Sequence, residues 1–132
     1  MTEATAPRPH SPLVSHRAVL GEGPDSGVPL HYGAPLREQR RLLDGRACVD
    51  LGHIEILEVG GEDRATWLTT VSSQVFTDLR PGDSTEVTVL SPQGRVEHWA
   101  QVITLEDSFL FLLDAGAREG LRTYFAMMTF AN

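Results

Sequence analysis

From Leu36 to Met128 the hydrophobic positions fall in blocks whose period changes several times, and each change marks the border of a predicted element. Pro35 opens the first, with Leu36-Arg37-Glu38-Gln39-Arg40-Arg41-Leu42-Leu43 behind it and Asp44-Gly45 as a stop, the pattern of a short helix with a wet basic face. Ala47 to Asp50 and Ile54 to Val59 are rich in β-branched residues and bounded by Gly52 and Gly60-Gly61, predicting two strand segments or one bent strand. Ala65, Leu68, Val71 and Val75 then recur at helical spacing behind Glu62 and Asp63, acids that suit the positive end of a helix, and Trp67 is carried toward the edge of the core. Thr85 to Leu90, the loop Ser91-Pro92-Gln93-Gly94, and Arg95 to Thr104 read as an antiparallel hairpin. Phe109 to Leu113 is a continuous apolar run, predicting a strand covered on both faces. Ala117, Leu121, Tyr124, Phe125 and Met128 line one stripe of a last helix. An antiparallel meander with segregated helices is an α+β arrangement.

Composition narrows the function classes. Six of the eight prolines lie in the first 35 residues, so residues 1–30 are expected to be a flexible Pro/Gly-rich arm and 31–132 the folded part. A length of 132 residues suits about one domain, and 41% hydrophobic with 22% charged residues suits a packed core. The net charge of -7 argues against binding nucleic acid through phosphate contacts. All eleven cations are arginine, which excludes Schiff-base chemistry and a phosphate-loop lysine. Cys48 alone makes no internal disulfide and holds no zinc or iron-sulfur cluster by itself; within an apolar strand segment it is expected to be a buried small hydrophobe. Five scattered histidines lack partners at ligand spacing, so no metal site is expected. Without an apolar leader or span, the expectation is a cytoplasmic protein with no membrane contact.

Five segments in order carry a resemblance: His31-Tyr32-Gly33-Ala34-Pro35-Leu36-Arg37-Glu38, Val49-Asp50-Leu51-Gly52-His53, Gly61-Glu62-Asp63-Arg64 with Trp67-Leu68, Leu79-Arg80-Pro81-Gly82, and Leu90-Ser91-Pro92-Gln93-Gly94-Arg95-Val96-Glu97-His98. Together they resemble the amino-terminal part of the folate-binding YgfZ-type proteins, relatives of the glycine-cleavage T-protein, an aminomethyltransferase. The resemblance implies part of an aminomethyltransferase-like folate-binding domain over 31–132. The chain is then a fragment or a truncated relative. The family's Lys-Gly-Cys-aromatic-x-Gly-Gln-Glu motif is absent from a sequence that has no lysine.

The same resemblance nominates four residues for tetrahydrofolate. Glu97 and His98 stand where aminomethyltransferases carry an aspartate pair; a glutamate accepts similar hydrogen bonds and a histidine can shuttle a proton. In a regular strand, however, Val96, His98 and Ala100 share one face and Glu97, Trp99 and Gln101 the other, so both reach one ligand only through a bulge. Asp114 matches the end of the family's cavity strand and orients a ligand amide or caps the following helix. Tyr32 stacks on a pteridine or packs the arm onto the core. His53 either steadies a turn or lines the cavity.

Three functions stay open. The first, which the resemblance favours, is a tetrahydrofolate-binding accessory protein supporting assembly or repair of iron-sulfur enzymes, with those enzymes or assembly proteins as partners. The second is a folate-dependent aminomethyltransferase, whose catalytic residues the sequence leaves unassigned. The third is a ligand-free interaction module.

Overall fold

Strand alternation in the second half of the chain builds one four-stranded antiparallel sheet from β3 (Glu55–Gly60), β4 (Ser84–Leu90), β5 (Val96–Thr104) and β6 (Ser108–Leu113), in the spatial order β3-β6-β5-β4. The structure is a computed structural model in which Val14 and residues 17–129 are described. These fall into two units, one ending at His53 and one beginning at Ile54.

In the second unit most inward strand positions are apolar, with Glu55, His98 and Thr104 as polar members of the same face. Val87 and Val89, Ala100 and Val102, Phe109, Phe111 and Leu113 share the inner face and are buried, because the register pairs Val87 with Ala100 and Val102 with Phe111. Helices α2 (Arg64–Val71) and α3 (Arg118–Thr129) lay Leu68, Leu121 and Phe125 on that face. Phe76, from the connection after α2, fills the centre with its ring edge-on to Phe109 at 5.0 Å, while Phe111 meets Phe125 in the same way at 5.4 Å. Trp67 is half-buried against Phe125 at 5.2 Å, at the core edge as its helical spacing predicts.

Two elements differ from expectation. Helix α2 stops at Val71 rather than reaching Val75, because the Thr69 hydroxyl accepts the Phe76 N–H (2.9 Å) and turns the chain back toward the sheet. Ser73 then clamps Thr88 on β4, donating its N–H to the Thr88 carbonyl (3.0 Å) and accepting the Thr88 N–H (2.9 Å). Strand β6 buries its inner face fully; on the other side Ser108 is buried while Leu110 and Leu112 are half-buried.

The first unit has a different character. Residues 1–13 of the expected arm lie outside the described residues, but β1 (Val19–Leu20) pairs antiparallel with β2 (Pro29–His31), closed by a 3-10 turn at Gly23–Asp25. Helix α1 (Pro35–Leu43) follows as predicted. Its amino end is closed from within: the Glu38 carboxylate accepts the N–H groups of Tyr32 (2.9 Å) and Ala34 (3.0 Å), which holds its pKa below the ordinary carboxylate value. None of the described residues of this unit is buried, and Leu36 and Leu43 on α1 are 75% and 81% exposed. Ala47 to Asp50 form no strand. With no sheet to join, that segment leaves Cys48 exposed, not buried as its apolar neighbours suggested.

Candidate functional site

The hairpin of β4 and β5 breaks its own alternation at one residue. Val89 pairs with His98 and Leu90 with Val96, so Glu97 is an extra residue on β5, a β-bulge. In a regular strand Glu97 would face away from His98; the bulge takes it out of that alternation. Tyr124 on α3 has its phenol pKa raised, first by burial and then by the Glu97 charge. The His98 ring lies 6.0 Å from the Tyr124 ring, centroid to centroid.

Helix α3 comes this close because of Gly120. A methyl group at that position would stand 3.1 Å from the His98 Cε1, inside ordinary contact distance. One turn along, the Tyr124 hydroxyl donates to the Val71 carbonyl at 2.7 Å, tying α3 to the last turn of α2 and satisfying one of its orphan acceptors. Among the described residues, half-buried His98 has no hydrogen bond to its ring nitrogens and exposed Glu97 has none to its carboxylate. Tyr124 also walls a cleft of about 400 Å³ with Val71, Leu90, Met128 and the hydroxyl-bearing run Thr70, Ser72 and Ser73; Glu97 and His98 are not among its lining residues.

Asp114 follows the last residue of β6, past the Gln101–Leu112 pair that ends the β5–β6 ladder, at the end of the sheet where β5 begins. It is exposed, and its carboxylate makes no hydrogen bond. The capping role belongs elsewhere: the Arg118 N–H at the start of α3 donates to the Glu55 carboxylate of β3 at 2.9 Å, while Asp114 offers only its carbonyl, to the Ala117 N–H. Tyr32 lies in the first unit, where its ring borders a cleft of about 380 Å³ with Leu42, Cys48 and Val49. The turn before His53 is held by Asp50, whose Oδ1 accepts the Gly52 N–H at 2.9 Å, while the His53 Nδ1 is buried without a partner. The structure thus joins Glu97 and His98, sets Asp114 at their end of the sheet, and adds Tyr124 and Gly120. Gly120 had a signal, since a glycine inside a helical pattern often marks a close approach; Tyr124 was read only as part of an apolar stripe.

A larger cleft of about 580 Å³ runs between β3 and the two helices, past Leu57, Trp67 and Phe125. Arg64 on its wall is committed to structure: it donates to the Gly61 carbonyl (2.8 Å) and the Glu106 carbonyl (2.6 Å) and lies over the Phe109 ring.

Glycine cleavage system aminomethyltransferase T from Bartonella henselae is similar to this chain, with a TM-score of 0.68 and 19% sequence identity over 88% of this chain and 33% of that one. The fold is aminomethyltransferase-like. No protein-family profile matches the sequence. The chain spans about a third of the length of the solved enzyme. Within this aminomethyltransferase-like fold the α+β expectation is met by the four-stranded antiparallel sheet with helices on its inner face. Among the described residues no helix is long and apolar enough to cross a membrane, and no group of three or more His, Cys, Asp and Glu side chains is placed to hold a metal ion.

Proposed function

We propose that this chain is the tetrahydrofolate-binding part of an accessory protein that supports the assembly or repair of iron-sulfur enzymes. The observation that carries the binding half of this reading is the bulge at Glu97, which lets consecutive residues of β5 serve one site in an aminomethyltransferase-like sheet. The residue types suit the ligand: a carboxylate at Glu97 accepts N–H donors of a pteridine ring, an imidazole at His98 supplies a second polar contact, and the neighbouring Tyr124 offers an aromatic face. Tetrahydrofolate, when bound, carries one-carbon units. The residues of this chain bind and orient it. The accessory role, and iron-sulfur enzymes or their assembly proteins as partners, follow from the YgfZ-type resemblance; replacement of the aspartate pair by Glu97 and His98 supports binding over aminomethyl transfer.

The test is a thermal melt of the chain with and without tetrahydrofolate. A ligand at 100 times its dissociation constant adds about 2.7 kcal/mol to a folded state that binds it, so the melting temperature is expected to rise, and Glu97→Gln to abolish most of that rise while melting normally without ligand. A cooperative melt that tetrahydrofolate leaves in place would overturn the reading.

A further inference from the structure

The face of the sheet turned away from α2 and α3 has the wrong composition for a solvated surface. An antiparallel sheet packed on one side ordinarily alternates to polar side chains on the other. Here the register sets Ile56 beside Leu112, and Leu110 beside Ile103, and Trp99 extends the same face on β5. The result is an apolar band crossing three strands, interrupted on β5 by Gln101 between Trp99 and Ile103, with Ile56 52% and Trp99 41% exposed. It accounts for the unbroken apolar run of β6, which reads as a strand covered twice although this unit covers it once.

The borders of the band select what covers it. Outward positions of the two edge strands carry Glu58 on β3 and Glu86 on β4, and none of the four strands contains an arginine. Across the sheet these positions are three strand spacings apart, about 14 Å at the usual inter-strand distance, offset by two residues along the strands, and the Glu58 carboxylate accepts the Ser108 hydroxyl at 2.6 Å. One α-helix with its side chains is about 10–12 Å across. A shallow groove of about 420 Å³ already opens between the central strands and Glu86, along Gln101, Ile103 and Leu112. A second copy of the chain would bring its own acidic borders against these, and an anionic lipid surface would meet the same repulsion.

We propose that this outer face docks an amphipathic helix of a partner polypeptide, its apolar stripe flanked on both sides by lysine or arginine. The inference is independent of folate binding. It is tested on the full chain with two synthetic 18-residue helical peptides sharing one leucine stripe, one flanked by lysines and the other by glutamates, by calorimetry and tryptophan fluorescence. The lysine-flanked peptide is expected to bind at least tenfold more tightly and to shift the emission to the blue, a shift lost in Trp99→Phe. Glu86→Arg, at an exposed position whose side chain makes no hydrogen bond, is expected to weaken that peptide at least tenfold with an unchanged melt. The proposal is overturned if neither peptide binds, if both bind equally, or if phosphatidylserine vesicles or a second copy of the chain take the face in preference to the lysine-flanked helix.

Discussion

Gly120 is a position where one hydrogen atom decides what stands beside the candidate ligand site. Alanine is favoured over glycine in a helix by about 0.8–1.0 kcal/mol, yet its methyl group would press on the His98 ring from 3.1 Å. Because His98 is only half-buried, its ring can swing aside. Gly120→Ala is therefore expected to hold or raise the melting temperature while shifting the His98 ring resonances in an NMR spectrum; a fall in melting temperature would show that the ring is fixed. Tyr124 allows a second check. Its phenol is held above the ordinary 10.0 by burial first and by the Glu97 charge second. The unfolded phenol ionises from about pH 10 and the folded one later, so this contribution to stability is intact below pH 10 and is lost as the pH climbs through the folded value. An ultraviolet titration of tyrosinate is expected to show one late-ionising tyrosine, and Glu97→Gln to bring it to lower pH.

At the scale of elements, the hairpin, the helices and the last strand were legible because their patterns are dictated by one covered face. Val87, Val89, Ala100 and Val102 alternate inward, and Leu121 and Phe125 lie one helical turn apart. What the pattern did not disclose was decided by contacts distant in sequence. The bulge at Glu97 depends on how β5 meets β4, the early stop of α2 depends on a hydrogen bond from Phe76, and the cap of α3 comes from Glu55, 63 residues away. Cys48 was misjudged for the same reason, since apolar neighbours imply burial only where a sheet exists to receive them. Of the candidate site, Glu97 and His98 were legible in sequence, but the regular-strand geometry that separated them was not the one adopted. Phe111 is central to the packed elements, touching Phe76 and Phe125 while wholly buried. Phe111→Ala is expected to cost about 3–5 kcal/mol in a denaturant titration, and a loss below 1 kcal/mol would mean that the core is not packed around it.

At the scale of the whole molecule, charge and burial are unequally shared. Residues 54–132 hold twelve acids and five arginines, whereas residues 1–53 hold six of each, so the net charge of -7 resides in the second unit. That unit also holds every buried residue among those described. A segment without buried apolar area has little to offset its ordering entropy. Limited proteolysis is expected to cut first between Val19 and His53, leaving a fragment from about Ile54 onward that melts cooperatively; equal resistance along the chain would show that the first unit is held by packing. The strand order β3-β6-β5-β4 has a consequence in time as well as in space. The first strand of the sheet to be synthesised pairs with the last, Glu55 with Leu113, so β3 waits for nearly sixty residues before its partner exists. Closing so long a loop is slow compared with zipping β4, β5 and β6 along their short turns. In refolding followed by pulsed hydrogen exchange, the amides of those three strands are expected to gain protection before those of β3. On the ribosome, the edge that completes the core is the first part made and the last to find its place.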